Sequence, residues 1–205
     1  MKTLLFVLNS LILSACSVVG IRQSEQPDYY SLLTDGAFEI RLYSESLIAE
    51  TTIEGDYKTA GDQSFRRLAG FIFGNNTRRE SVAMTSPVYQ EAASESIAMT
   101  IPVFQEADSQ VWRMSFIMPK NYQVETLPVP IDSTIRIKKL EKRKVAVMSY
   151  SGSLNQESIS EHAKQLIDWL NSRSIKMISK PKSAAYDPPW TIPTLRHNEI
   201  HIEIE

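Results

Sequence analysis

An octet is written twice in this chain, and the repeat limits what it can fold into. Ser81-Val-Ala-Met-Thr-Ser-Pro-Val88 returns fifteen residues later as Ser96-Ile-Ala-Met-Thr-Ile-Pro-Val103, with two changes. Val82, Met84, Ser86 and Val88 alternate with Ala83, Thr85 and Pro87, and the second copy alternates likewise, which predicts two short strands. Pairing them antiparallel around the loop Tyr89 to Glu95, with Val88 opposite Ile97, sets Met84 against Ile101 and Ser86 against Met99 on one largely apolar face. Pro87 and Pro102 each lack a backbone donor, so these strands belong at an edge, a bulge or a strand end.

The segments around the octets form two similar halves. Phe38 to Tyr43 alternates, with Ile40 and Leu42 on one face and Arg41 and Tyr43 on the other, and Leu47 to Ile53 continues the strand pattern. Phe65, Leu68, Ala69 and Ile72 then recur at helical spacing, with Thr59 or Asp62 as the cap and Gly74 past the end. Trp112, Met114, Phe116 and Met118 share one face of a further strand. The order then restarts with strands at Ile135 to Ile137 and Val145 to Tyr150. A second helix follows, carrying Ile159, Ala163, Leu166, Ile167 and Leu170 as its stripe, with Ser153 and Gln156 as a capping box. Ile200, Ile202 and Ile204 face inward along the last strand, which sets His197 and His201 toward solvent. At 205 residues and 42% apolar content the chain can bury one core. The order predicts an α+β domain of two similar halves, with two helices packed on a largely antiparallel, barrel-like sheet.

The amino terminus carries an address. Lys2 precedes an apolar run from Leu4 to Leu13, too short to span a bilayer, and Leu13-Ser14-Ala15-Cys16 has the form of a bacterial lipobox. The expected organisation is a signal peptide over residues 1–15, a lipidated Cys16 opening a tether over 16–36, and one domain over 37–205. Lipid on Cys16 leaves no thiol for a disulfide, since it is the only cysteine. Ser17 in place of aspartate after it points to the outer membrane, facing the periplasm. A formal charge of -2 gives no general attraction to nucleic acid. A nucleophile elbow, paired helical histidines and a glycine-rich phosphate loop are all absent from the sequence, so nothing points to catalysis directly. Glu39, Glu50 and Glu199 are the acids a pocket could use, and each reads more simply as a solvated strand residue.

Several segments together resemble the SOUL heme-binding family: Phe38-Glu-Ile-Arg-Leu-Tyr43, Phe71-Ile-Phe-Gly-Asn-Asn76, Ala83-Met-Thr-Ser-Pro-Val88 with its second copy, Ser115-Phe-Ile-Met-Pro119, Tyr186-Asp-Pro-Pro-Trp190 and Arg196-His-Asn-Glu199. The resemblance implies a distorted antiparallel β-barrel of two pseudo-twofold halves flanked by two helices, similar also to bacterial effector-binding domains. It further implies heme or another tetrapyrrole, held reversibly in a shallow apolar cleft beside the first helix. The residues it points to are Arg66, Ala69, Phe73, Arg78, Met84 and Met99. The positions of basic residues thought to meet the propionates in some members correspond here to Gly70 and Thr191, which leaves Arg66, Arg67, Arg78 and Arg79 as the nearby cations. His162 is the weak candidate for an axial ligand, against a plain role at the boundary of the core. Two other functions stay open: a carrier or sensor of another small amphipathic ligand, and a small hydrolase or isomerase using a pocket carboxylate.

Overall fold

The computed structural model describes residues 24–93 and 110–205. Its described strands are β1 (Tyr29–Asp35), β2 (Phe38–Tyr43), β3 (Ser46–Gly55), β4 (Val88–Ala92), β5 (Gln110–Ile117), β6 (Arg136–Leu140), β7 (Arg143–Tyr150), β8 (Lys182–Ala185) and β9 (Asn198–Ile204). Helix α1 (Tyr57–Ile72) lies between β3 and β4, and α2 (Gln156–Ser172) between β7 and β8. All nine strands join one antiparallel sheet in the order β1-β2-β7-β9-β8-β4-β5-β3-β6. The central β4·β8 pair divides it into halves that match in order, β8-β9-β7-β2 and β4-β5-β3-β6, each with one helix.

The expected barrel is not closed. Two residues join β2 to β3, and two join β6 to β7, yet β2 hydrogen-bonds to β7 and β6 to β3. These short links force the sheet to curl until its ends lie close, and the described strands leave a seam between them. One face of the curled sheet therefore meets the helices, and the other faces inward on itself.

Each helix covers one half. Leu68, Phe71 and Ile72 of α1 pack on Ala49, Met114 and Phe116, while Leu166, Trp169 and Leu170 of α2 pack on Ala146, Met148, Ile200 and Ile202. The apolar faces expected for the strand of Trp112 to Met118 and for the three terminal isoleucines are buried. Helix starts differ from the expected caps. Asp56 accepts from the amides of Lys58 (3.1 Å) and Thr59 (2.9 Å) at the start of α1, and Asn155 accepts from Ser158 (2.8 Å) at the start of α2. α1 therefore starts earlier than its stripe marked, with Tyr57 and Ala60 packed on Ile53 and Trp112, and Asn155 rather than Ser153 caps α2. The sheet also begins earlier than expected: Tyr29–Asp35, in the segment read as tether, pairs along β2.

The octet does not form the predicted hairpin. Val88 lies opposite Phe116 on one side and Ala185 on the other, so it has no place for Ile97. Before Val88 the first copy belongs to no strand. Val82, Thr85, Ser86 and Pro87 are buried, whereas Ala83 and Met84 are exposed, which breaks the expected alternation. Single anchors replace a strand: Val82 N–H donates to Ile72 O (2.7 Å), and Thr85 Oγ1 donates to Ile117 O (2.5 Å). The second copy, Met99 included, lies outside the described residues.

Candidate functional site

Two surfaces differ sharply in character. The first is the exposed apolar ground at the end of α1. Phe73 caps the helix at 67% exposure, and Gly74 turns the chain away with φ +112°, a conformation that favours glycine. Buried Asn76 then fixes the following loop. Its Nδ2 donates to Phe71 O (3.0 Å) and Glu80 O (2.7 Å), and its Oδ1 accepts from the amides of Arg78 and Glu80, both at 3.2 Å. Thr77 N–H donates to Val129 O and Ile131 N–H to Asn75 O, which brings a second loop alongside. Val129 and Ile131 are each 61% exposed there, and Met84 and Phe65 are exposed nearby in the chain on either side of the turn.

Cations border this ground. Arg78 is exposed and tied to Thr126 O (3.0 Å), and Arg67 reaches Thr134 Oγ1 (3.3 Å). Arg66 is exposed and donates to Asp62 O in its own helix, while Ala69 is half-buried between them. Of the residues expected to bind a ligand, Arg66, Ala69, Phe73, Arg78 and Met84 thus all belong to α1 or the segment after it. Met84 is a surface side chain here, contrary to the buried partner of Ile101 that the hairpin required. Val129 and Ile131 were missed by sequence reasoning because their loop has no periodic pattern. His162 stands on α2, with its ring stacked on Tyr150 at 3.9 Å and its Nδ1–H donated to Ser158 O (2.6 Å).

The second surface is the inward face of the curled sheet, which holds a buried polar network. Glu199, 1% exposed, takes Arg41 on both oxygens at 3.0 Å, Tyr186 Oη at 2.6 Å, and His201 and His197 through their Nε2–H groups at 2.6 and 2.9 Å. His201, 3% exposed, accepts from Tyr89 Oη at Nδ1 (3.3 Å). The solvent-facing placement expected for Glu199 and His201 is therefore wrong. Alternation put them opposite the isoleucines correctly, but the face they occupy is also covered, because the sheet curls over it. Glu50 is buried on the same face, and Glu39 is half-buried beside Arg41, with Arg41 Nε 2.6 Å away.

Burial alone would raise the Glu199 carboxyl. The hydrogen bonds from His197 and His201 and the charge of Arg41 instead hold it well below the usual carboxylate range. Burial pushes His201 down against the pull of Glu199, which keeps the imidazole neutral and suits it to accept from Tyr89. Burial likewise pushes the Tyr43 phenol up to about 12. An ionised carboxylate whose oxygens are filled by donors is a poor general base, so this network reads as structure. Among the described residues no group of His, Cys, Asp or Glu is arranged to hold a metal ion.

The fold is an α+β domain of two pseudo-equivalent halves, with exposed apolar ground at the end of the first helix. The chain belongs to the SOUL heme-binding protein family, whose profile matches residues 24–203. It is 26% identical over 165 residues to heme-binding protein 1 of Xenopus laevis, covering 80% of this chain and 82% of that one. Among solved structures it is similar to the C-terminal domain of EcmrR, with a TM-score of 0.58 and 9% identity over 86% of this chain and 98% of that one. An uncharacterized conserved protein from Listeria innocua matches with a TM-score of 0.57 and 13% identity, over 82% of this chain and 92% of that one. At such identities these two show a shared fold and nothing of the ligand.

Proposed function

We propose that this protein binds heme or a related tetrapyrrole on the apolar ground at the end of α1, and that a lipid on Cys16 tethers it to a membrane. The observation that carries the binding reading is the exposure of Phe73, Val129 and Ile131 on two loops that hydrogen bonds hold side by side. Large apolar side chains at 61–67% exposure on tied loops have an energetic reason to be covered. A macrocycle supplies a flat apolar partner, and Arg78 with Arg66 offers guanidinium groups to its carboxylates. Heme would supply a redox-active iron; the chain's own contribution is apolar contact, carboxylate pairing and partial exclusion of water. A shallow, open surface favours reversible holding. Membership of a heme-binding family and the relation to heme-binding protein 1 support the reading.

Titration with hemin of the chain lacking residues 1–23 tests it. The expected result is a saturable Soret shift at micromolar hemin, weakened by Phe73→Asp. No Soret change, or an unaltered affinity in the variant, ends the proposal. The anchor is tested separately: fatty-acid labelling in a bacterial host should mark the full chain and vanish in Cys16→Ala.

A further inference from the structure

The inward face carries a second feature, at one end of the curled sheet. Arg143 on β7 pairs with Glu203 on β9 (3.8 Å), which pairs with Lys182 on β8 (2.9 Å), which faces Glu91 on β4 (3.9 Å). Glu91 continues to Arg113 on β5 (3.4 Å), Arg113 to Glu50 on β3 (3.8 Å), and Glu50 to Lys138 on β6 (2.6 Å). Charges alternate across seven neighbouring strands, from β7 to the edge strand β6. Both ends of the series are cations, Lys138 and Arg143. They flank the two-residue turn at the seam and line one cleft of about 180 Å³. Four cations against three carboxylates leave the series one positive charge in excess.

Arg143 is the least satisfied member. Its Nε is 3.8 Å from a Glu203 oxygen that Lys182 holds at 2.9 Å, its guanidinium lies 5.4 Å from the Tyr43 ring, and its Nη1 is buried without a hydrogen-bond partner. A buried guanidinium N–H lacking an acceptor leaves Arg143 incompletely paired, and an oxyanion in the cleft that Arg143 lines would add a counter-charge to the same guanidinium. The cleft falls below the roughly 300–1,000 Å³ of drug-sized ligand sites, so its size selects a small ion over a macrocycle.

We propose that this cleft binds a small oxyanion, a carboxylate or phosphate group, between Arg143 and Lys138, completing the alternating series across the seam. The deeper Glu199 charge does not oppose it, because Arg41 pairs with both of its oxygens. The site is independent of the tetrapyrrole surface at the end of α1.

The test uses the full chain in a mild detergent at constant ionic strength. Inorganic phosphate and, separately, acetate are titrated while the arginine side-chain Nε resonances are followed by NMR. Saturable movement of the Arg143 resonance is expected with at least one probe, and the two arms distinguish the phosphate from the carboxylate source. Lys138→Gln, at a half-exposed position, should fold normally and weaken binding several-fold. Arg143→Gln should weaken it by about 10-fold or more, while Arg66→Gln changes nothing. No saturation up to the order of 100 mM overturns the site, as does equal affinity in wild type and Lys138→Gln. Lys138→Gln should leave hemin titration unaltered, so failure here and failure of the heme reading are separate results.

Discussion

Replacing Glu199 by alanine removes one partner of a buried ion pair and the shared acceptor for Tyr186, His197 and His201. Arg41 stays 4% exposed with only half-buried Glu39 as a counter-charge. Breaking a buried pair in this way costs about 3–5 kcal/mol, against a total stability of roughly 5–15 kcal/mol for a domain. At roughly 2–4 °C per kcal/mol for a chain of this size, Tm should fall by about 6–20 °C. Urea unfolding followed by tryptophan fluorescence reads the loss, with an unchanged slope showing that the unfolding unit is the same. A cycle with Arg41→Met isolates the pair: the double variant should be less destabilised than the sum by at least about 1.5 kcal/mol. A Glu199→Ala cost under about 1 kcal/mol, or additivity within about 0.5 kcal/mol, refutes the account of Glu199 as the network's hub.

Other outcomes follow from the same geometry. Because the folded Glu199 carboxyl titrates below its unfolded value, its contribution is complete above pH of about 4.3 and fades as pH falls toward the folded value, so the gap between wild type and Glu199→Ala should narrow in acid unfolding. His201 is held neutral, with its folded pKa below about 6.5, so it adds stability above that pH that is lost on acidification; His201→Asn should flatten the stability slope just below pH of about 6.5. Met84→Ala, at 37% exposure, should shift stability by less than about 0.5 kcal/mol in thermal melts yet lower hemin affinity. Asp56→Ala should cost about 1 kcal/mol by denaturant titration, through the lost cap of α1.

Legibility in the sequence followed the range of the interactions. The stripe of α2 and the alternation of β5 and β9 were readable because each depends on neighbours in the same element, whereas of the α1 stripe Leu68 and Ile72 are buried, Phe65 is exposed, Ala69 is half-buried and Phe71 is buried in addition. Cap positions slipped because the stripe that placed α1 begins at Phe65, a full turn past the buried Ala60, and because Ser153 stands two residues before the Asn155 that caps α2. The octet misled for a different reason. Its alternation is local and real as a pattern, but Val88 pairs with residues 28 and 97 positions away along the chain, and those pairings outcompete a hairpin. Around the apolar ground, Phe73 and Met84 were named from resemblance, whereas Val129 and Ile131 joined them through a loop contact that no periodicity encodes.

By itself the sequence determined the two-helix, two-half plan, the core residues of each half and membership of the family, because these rest on spacing and composition within short windows. The tertiary structure alone decided what the other face of each strand meets. Alternation says that Glu199 and His201 oppose Ile200 and Ile202; it does not say whether that opposite side is wet. Only the curl imposed by the two short links buries that side. The same curl gathers Arg143, Lys138 and the five charged residues between them from seven strands into one series, a register that exists only once those strands have paired.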